Sequence, residues 1–263
     1  MFSQEPRRRF HKPQLMEVIC QLRFPEILSI AANTPADYQE AIRAEYPQYA
    51  TQKEMPAPKL VGAPGRFTLQ NQPEIVNYRF VSVDGVWRVN LTSKFISLSC
   101  TRYTCWEDFA QKLDLPLAAF IKIYKPAYFE RVGLRYINAF SRKALDLEGV
   151  PFKELFQPCY LGVLAEDDVQ ETATSRSSMD LEMQLRGGAR VKLHAGPGMV
   201  KRPGQEDDKE VRFILDNDLF MGGNIPVNLS AGAIQTLHQQ ADSLFLGAIT
   251  ERLKDALEPL EYL

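Results

Sequence analysis

Residues 131–140, RVGLRYINAF, decide the predicted fold because a similar stretch, ICQLRFPEIL at residues 19–28, lies near the start of the chain. Within them, Leu-Arg-Phe at residues 22–24 matches Leu-Arg-Tyr at residues 134–136. Both stretches are rich in β-branched and aromatic residues, which is typical of strands. We therefore predict that each stretch is the opening strand of one of two related units.

The elements predicted after the first opening strand are a helix, four strands and a long helix. The first helix is ADYQEAIRAEY, which stops before Pro47. The strand-like runs are RFTLQNQ, IVNYRFVSVD, VWRVNLTS and FISLSCTRY. The long helix begins near Thr104, where Glu107 has the spacing of a capping box.

The second opening strand is followed by the same order of predicted elements. A short helix near residues 152–156 precedes the strand-like runs, and a long helix from Ser230 closes the unit. Those runs lie near residues 168–175, 179–186, 189–195 and 211–217. The predicted fold class is therefore α+β, with an internal duplication of a β-α-β4-α unit.

The predicted domain organisation is a flexible basic arm at residues 1–14, a first unit at residues 15–126 and a second at residues 127–263. A β-α-β4-α unit resembles the TBP-like or helix-grip arrangement, in which an antiparallel sheet curves around a long helix. We expect two such sheets, each packed against its long helix on one face and free on the other.

Composition and charge argue against several classes of protein. The net charge of −2 gives no footprint for duplex nucleic acid, and no apolar run is long enough to span a membrane. The basic triplet at residues 7–9 is not followed by the apolar run of a signal peptide. The scattered cysteines predict free thiols in a reducing compartment: Cys20, Cys100, Cys105 and Cys159. We expect a cytoplasmic protein.

Motifs for catalysis and cofactors are missing from the sequence. The three histidines show no zinc-ligand spacing, and no nucleotide-binding loop or nucleophile elbow occurs, so we expect no cofactor. Asp216 and Asp218 are weak candidates for a metal site, because alternate residues of a strand face the same way and paired carboxylates hold Mg²⁺. The alternative is that they make turn hydrogen bonds at a strand end.

Arginines on predicted strand faces are the candidate binding residues. Arg131 and Arg135 alternate with apolar residues, and Gly133 between them leaves room for close approach. The full candidate set is Arg23, Arg88, Arg102, Arg131 and Arg135. One interpretation is a surface for carboxylates, phosphates or an RNA backbone. The other is that these arginines form ion pairs with Glu17, Glu130 and other acids across the sheet.

Four segments carry a resemblance to a known family: EVICQLRFP, PADYQEAIRAEYP, WRVNLTSKFISLSCTRYTCWEDF and IYKPAYFERVGLRYIN. Together they resemble a sporadically distributed bacterial family of proteins of about this length. The resemblance spans residues 13–263 and implies no particular activity or catalytic residues. The family's sporadic distribution is compatible with mobile or defence-linked genes.

The leading expectation is a non-catalytic binding or interaction protein with a protein partner or a second copy of itself. One alternative is an RNA- or nucleotide-binding protein that uses Arg23, Arg131 and Arg135. Another is a metal-dependent enzyme that uses Asp216 and Asp218. A third is a small apolar ligand held between a long helix and its sheet, which requires a cavity of several hundred Å³.

Overall fold

The computed structural model describes residues 1–55, 59–63, 66–70, 74–201 and 209–262. The chain is mixed α and β, with a large antiparallel sheet and several helices. The strands are β1 (Arg8–Phe10), β2 (Leu15–Arg23), β3 (Gln48–Glu54), β4 (Lys59–Ala63), β5 (Arg66–Gln70), β6 (Ile75–Val81), β7 (Trp87–Leu91), β8 (Phe95–Cys100), β9 (Phe129–Phe140), β10 (Met179–Gln184), β11 (Arg190–Met199), β12 (Val211–Ile225) and β13 (Pro259–Tyr262). The α-helices are α1 (Leu28–Ala32), α2 (Ala36–Ile42), α3 (Trp106–Tyr124), α4 (Pro158–Leu161), α5 (Ser230–Ala248) and α6 (Glu251–Ala256).

The main sheet has nine strands in the order β10-β11-β12-β9-β2-β8-β7-β6-β3. The two opening strands, β2 and β9, lie side by side and antiparallel, with Gln21 opposite Gly133. The expectation of two separate sheets is therefore wrong. Each opening strand on its own would expose a row of unpaired backbone N–H and C=O groups, and their mutual pairing satisfies both rows.

One face of the main sheet is buried under the helices. In β2, Val18, Cys20 and Leu22 are fully buried, while Arg23 on the other face is exposed. The two long helices meet above this core, since Trp106 of α3 donates from Nε1 to Gln235 Oε1 of α5 at 2.7 Å. The period-2 burial follows from the alternation of apolar and polar residues in the sequence.

Helix α3 runs without interruption through Pro116. A proline inside a helix has no N–H for the carbonyl four residues before it, which here is that of Lys112. The buried Tyr46 supplies the missing donor, because its hydroxyl lies 2.9 Å from Lys112 O. This side chain reaches α3 from the segment that follows α2.

In the first half, the predicted run RFTLQNQ is not a strand of the main sheet. Its described part is β5, which pairs only with β4 in a separate two-stranded ribbon, and residues 71–72 lie outside the described residues. The main sheet instead uses β3 as its edge, at Gln48–Glu54. That segment is mostly polar and its described side chains are exposed, so it lacks the alternation that marks a half-buried strand.

In the second half, the run predicted near residues 168–175 is not a strand. It contains a short 3₁₀ turn at Glu171–Ala173. Glu171 is held there by two donors, Phe152 N at 2.8 Å and Arg142 Nη1 at 2.7 Å. The second half therefore contributes β9, β12, β11 and β10 to the main sheet, while the first contributes β2, β8, β7, β6 and β3.

The expected flexible arm, residues 1–14, packs on the rest of the molecule. Strand β1 pairs antiparallel with β13, and Ser3 exchanges two hydrogen bonds with Ser243 of α5. The hydroxyl of Tyr160 donates to Met1 O at 3.0 Å. Backbone bonding and ion pairs, which the composition of this segment does not reveal, hold it in place. Among the described residues, no helix has the length and apolar character needed to cross a membrane.

Candidate functional site

The face of the main sheet opposite the helices, here called the open face, carries the four most prominent candidate residues. Arg131 and Arg135 of β9 form diagonal ion pairs with Asp218 and Asp216 of the neighbouring β12, where Asp218 is the residue opposite Arg135 in the register. Arg131 Nη2 lies 2.7 and 2.8 Å from the two carboxylate oxygens of Asp218. Arg135 pairs with Asp216 through Nε at 2.8 Å and Nη2 at 2.5 Å. The arginines therefore form ion pairs across strands, although their partners are not Glu17 and Glu130.

Gly133 makes the geometry of Arg131 possible. A Cβ at this position would lie 2.3 Å from Arg131 Nη1 and 2.9 Å from Cζ, so the guanidinium lies directly over the glycine. From there it also contacts the ring of Phe220, with Cζ 4.6 Å from the ring centroid. The room left by a missing side chain is thus filled by Arg131 itself.

The other candidate arginines take no part in these two ion pairs. Arg23 is opposite Arg131 in the β2–β9 register and is exposed, and Arg88 on β7 is opposite Ser99. Arg102 lies in the bend after β8, outside the open face. It is near Asp84, whose pKa is lowered by a hydrogen bond from Ser82 and also by the charge of Arg102.

Asp216 and Asp218 do lie on the same face of a continuous strand. Each carboxylate is already bound by an arginine. In the described part of the chain, no group of three or more His, Cys, Asp and Glu side chains is placed to hold a metal ion.

A different site lies on the helix side of the sheet, under the arm. It is a cavity of about 90 Å³, here called the arm cavity. The arm, the segment before α3, strands β9 and β12, and α5 form its walls. Its lining includes both aromatic and polar side chains: Phe10, Tyr103, Tyr136, Asn217, Asp242 and Phe245.

Ion pairs with Glu107 hold the arm over this cavity. Arg7 binds Glu107 through Nη1 at 2.7 Å and Nη2 at 3.2 Å, and Arg9 Nη2 binds the same carboxylate at 2.9 Å. These arginines, Arg7 foremost, hold the pKa of Glu107 well below its usual range. The residue expected to cap α3 therefore anchors the arm instead, and the N-cap of α3 is Cys105, whose side chain makes no capping hydrogen bond.

Tyr136, His238 and Asp242 form a chain of polar groups beside the arm cavity. The Tyr136 hydroxyl is 2.9 Å from His238 Nδ1. His238 Nε2 is 3.2 Å from Asp242 Oδ2, but the two atoms are not aligned as a hydrogen bond. Burial lowers the pKa of His238 to about 3 and raises that of Asp242 to about 7. At neutral pH the imidazole is therefore uncharged.

Aromatic rings fix these groups. The ring of His238 stacks on Trp106, with centroids 4.3 Å apart and an interplanar angle of 11°. Tyr103 meets Tyr136 edge to face at 6.0 Å. Rings packed in this way hold the polar atoms in fixed positions before any ligand arrives.

Two polar atoms at the arm cavity lack hydrogen-bond partners among the described residues. Asn217 is 1% exposed, and its Oδ1 accepts no hydrogen bond. Arg9 Nε, a donor shielded from solvent at the same cavity, also has no partner. The Asp242 side chain is 30% exposed, and Arg7 Nε lies 3.6 Å from its carboxylate. Buried polar atoms are nearly always satisfied in folded proteins, so Asn217 Oδ1 and Arg9 Nε indicate a site for a group that donates and accepts hydrogen bonds.

Sequence reasoning missed the arm cavity. The one local signal is the i,i+4 spacing of His238 and Asp242, which puts both on one face of a helix. Tyr103 and Tyr136 come from segments predicted to supply only core or polar-face residues. Their contact with the arm depends on the pairing of β1 with β13, and no pattern in the sequence predicts that pairing.

Comparisons with known proteins leave the family of this chain open. A scan against models of protein families finds no match, and a search of curated proteins finds no similar sequence. The resemblance to a sporadically distributed bacterial family therefore stays an expectation from the four quoted segments.

Proposed function

We propose that this protein binds a small ligand in the arm cavity and does not transform it. The observation that carries the proposal is the pair of unsatisfied polar atoms, Asn217 Oδ1 and Arg9 Nε, at the wall of one cavity. Leaving a buried polar atom without a partner costs on the order of 1–3 kcal/mol. A protein that keeps two of them has a reason to do so, and a bound ligand is the simplest one.

The size and the lining of the arm cavity define what can enter. At about 90 Å³ it is smaller than the cavity of several hundred Å³ expected for an apolar ligand, and its wall is partly polar. On this measure about 10–15 Å³ is enough to hold one water, so the space takes several waters or a small molecule. The ligand is therefore a small polar molecule or the end group of a larger one.

The low basicity of His238, the histidine beside the arm cavity, agrees with binding without catalysis. A general base works best with a pKa near the operating pH. The pKa of His238 is lowered to about 3 by burial, and its ring is stacked on Trp106. We infer that His238 orients Tyr136 and does not remove protons from a substrate.

Native mass spectrometry of the purified protein tests this function, together with a thermal-shift screen of small polar metabolites. We expect a bound mass or a stabilising ligand for the natural chain, and neither for Ala241→Phe, which fills the cavity. Ala233→Phe on the same helix is a matched control for the added ring, because Ala233 does not line the cavity. A natural chain with no bound mass and no stabilising compound contradicts the proposal.

We also infer that the fold arose by duplication of a TBP-like unit. The order of strands supports this, because each half places its opening strand next to the strand that precedes its long helix, β8 or β12. The next two strands outward then follow in reverse chain order in both halves. The second half has no counterpart of β3, because residues 168–175 form a turn.

Binding of single-stranded RNA to the open face is a second candidate function. The observation that favours it is Phe220, an aromatic ring approached by Arg131 at 4.6 Å, Arg190 at 5.5 Å and Lys192 at 6.0 Å. A ring among cations is a stacking platform for a base beside its phosphate. A shift assay at low salt with the natural chain and Phe220→Ala tests it, and equal mobility of RNA with both proteins counts against it.

A further inference from the structure

The arm gives the wall of the arm cavity an excess of positive charge. Residues 7–9 are three consecutive arginines, and all three line the cavity. Their acidic partners, Glu107 and Glu5, are not part of the lining. Among the described residues that line the cavity, Asp242 is the one acid. Three guanidinium groups and a single carboxyl favour a ligand with a negative charge.

Two of these arginines share one carboxylate. Arg7 Nη1 lies 2.7 Å from Glu107, and Arg9 Nη2 lies 2.9 Å from the same side chain. Since a guanidinium stays charged, one positive charge of the three groups is left without a counterion. Asp242 offsets it only in part, because burial raises the pKa of this carboxyl to about 7 and so disfavours its charged form. An anion in the cavity would supply the missing charge.

The two unsatisfied atoms define the hydrogen bonds that the ligand makes. Arg9 uses Nη2 for Glu107, while its Nε is shielded from solvent and has no acceptor. Asn217 Oδ1, on a side chain that is 1% exposed, has no donor. A ligand that satisfies both atoms carries an anionic oxygen and a donor. An ammonium donor would be repelled by the arginines, so a hydroxyl is the donor that fits.

The remaining walls of the arm cavity are aromatic. Phe10 from the arm, Tyr103 before α3, Tyr136 of β9 and Phe245 of α5 line it together. An inorganic phosphate presents oxygen on every side, and oxygen placed against the carbon of a ring loses hydrogen bonds to water without replacement. A short carboxylic acid carries its charge at one end and presents carbon to the rings. The walls therefore favour a carboxylate.

We propose that the ligand of the arm cavity is a short hydroxycarboxylate. Its carboxylate accepts a hydrogen bond from Arg9 Nε, its hydroxyl donates to Asn217 Oδ1, and its carbon atoms lie against the aromatic rings. This inference rests on the proposed function, since it names the ligand class of the same cavity. A space of about 90 Å³ takes several waters, which an acid of the size of glycolate would replace.

The test is a titration of the full chain, followed by NMR, with four small probes. Glycolate has the charge and the hydroxyl, acetate lacks the hydroxyl, glycolamide lacks the charge, and inorganic phosphate is an oxyanion without carbon. We expect glycolate to bind most tightly, with shifts at Tyr103, Tyr136 and Asn217. Acetate and glycolamide should each bind about tenfold more weakly, which is the loss expected for one hydrogen bond with a charged partner.

A variant of Arg9 tests the donor. Arg9→Lys keeps a positive charge near Glu107 but has no Nε in the same place, so it should weaken the binding of glycolate about tenfold. Arg43→Lys is the matched control, because Arg43 is exposed and pairs with Glu40 away from the cavity. The comparison of glycolate with acetate tests the bond to Asn217 without a change of this buried side chain.

Each other outcome overturns a defined part. Equal binding of glycolate and glycolamide overturns the negative charge of the ligand. Equal binding of glycolate and acetate overturns the hydroxyl bond to Asn217, and tighter binding of phosphate overturns the choice of a carboxylate. Unweakened binding by Arg9→Lys overturns the role of Arg9. If no probe binds although native mass spectrometry shows a retained ligand, the hydroxycarboxylate assignment fails alone. If no ligand is retained and no compound stabilises the chain, the proposed function fails with it.

Discussion

At the scale of single residues, Gly133 makes room for the ion pair between Arg131 and Asp218. The guanidinium of Arg131 lies over the glycine on its way to Asp218, and the three atoms nearest to a methyl group at this position would all belong to Arg131. Because these atoms are at the tip of a flexible side chain, Gly133→Ala should displace Arg131 and leave the strand intact. A partly exposed pair of this kind contributes about 0.5–1 kcal/mol.

A double-mutant cycle measures that displacement. We expect the coupling energy between Arg131 and Asp218 to fall close to zero when Gly133 is alanine, since the arginine can no longer lie flat. The Arg135–Asp216 pair on the same two strands is the matched control, and its coupling should persist in both backgrounds. Unchanged coupling of the Arg131 pair would show that the glycine is not needed for it.

Asp242 and His238 predict opposite dependences of stability on pH. The pKa of Asp242 is raised from 3.8 to about 7, so the folded state holds its proton longer than the unfolded chain and stability falls between about pH 4 and 7. The pKa of His238 is lowered from 6.5 to about 3, so its contribution rises with pH between about 3 and 6.5. The two effects oppose each other in the natural chain.

Replacement of Asp242 by asparagine should separate the contributions of Asp242 and His238 to the pH dependence of stability. We expect the stability of Asp242→Asn, relative to the natural chain, to increase from pH 4 to pH 7, because the variant lacks the falling contribution of Asp242 while that of His238 is common to both proteins. Chemical unfolding followed by fluorescence at the two pH values measures this difference. Asp255→Asn, which is exposed on α6, should show a smaller change, and an equal one would contradict the assignment.

At the scale of elements, the bond from Tyr46 to α3 explains how the helix passes through Pro116. Tyr46→Phe should destabilise the fold by about 1–2 kcal/mol, because Lys112 O then has neither a helical donor nor a hydroxyl. In a Pro116→Ala background the N–H of residue 116 becomes available, so the same change should cost less. Tyr38→Phe is the control, since its bond goes to Pro116 O, a carbonyl that the helix itself satisfies. Equal costs of Tyr46→Phe in both backgrounds would contradict this account.

The arm is an element whose position depends on one carboxylate. Glu107→Gln weakens two charge-assisted contacts at once, those with Arg7 and Arg9. We expect faster hydrogen exchange at Arg8–Phe10 and no change in β2 or β9. Glu40→Gln removes a comparable surface pair with Arg43 and should leave the exchange of the arm as it was. Loss of protection throughout the sheet would instead indicate general destabilisation.

The residue pattern of the strands was predictable wherever one face is buried and the other is not. The alternation in VWRVNLT gives β7, and that around Arg131 gives β9, because burial repeats with the period of the side chains. Strand β3 was not predictable in this way, because its described side chains are all exposed and show no alternation of burial. The sequence of a strand also does not show which other strand it pairs with. The arm cavity was not predictable either, because it depends on contacts between residues that are far apart in the chain.

At the scale of the whole molecule, the β2–β9 pairing makes the two halves dependent on each other. Produced separately, residues 1–126 and residues 127–263 would each expose one free edge of the opening strand, β2 or β9, whose backbone N–H and C=O groups would be unpaired. We expect each half to aggregate or self-associate alone, and the two to form a stable complex when produced together. Size-exclusion chromatography with circular dichroism checks this. Two halves that are folded and monomeric on their own would contradict it.

The pairing of β1 with β13 has a mechanical consequence. It brings the first and last described strands together in antiparallel fashion, with Arg8 opposite Tyr262. Tension applied to the two ends would load these backbone bonds one after another, as in a zipper, whereas the long strands of the main sheet would share the load later. Because residues of β1 also line the arm cavity, such a pull should open that cavity while the main sheet stays folded. We expect the β1–β13 pair to separate before the main sheet does, which would couple tension on the two ends of the chain to opening of the cavity.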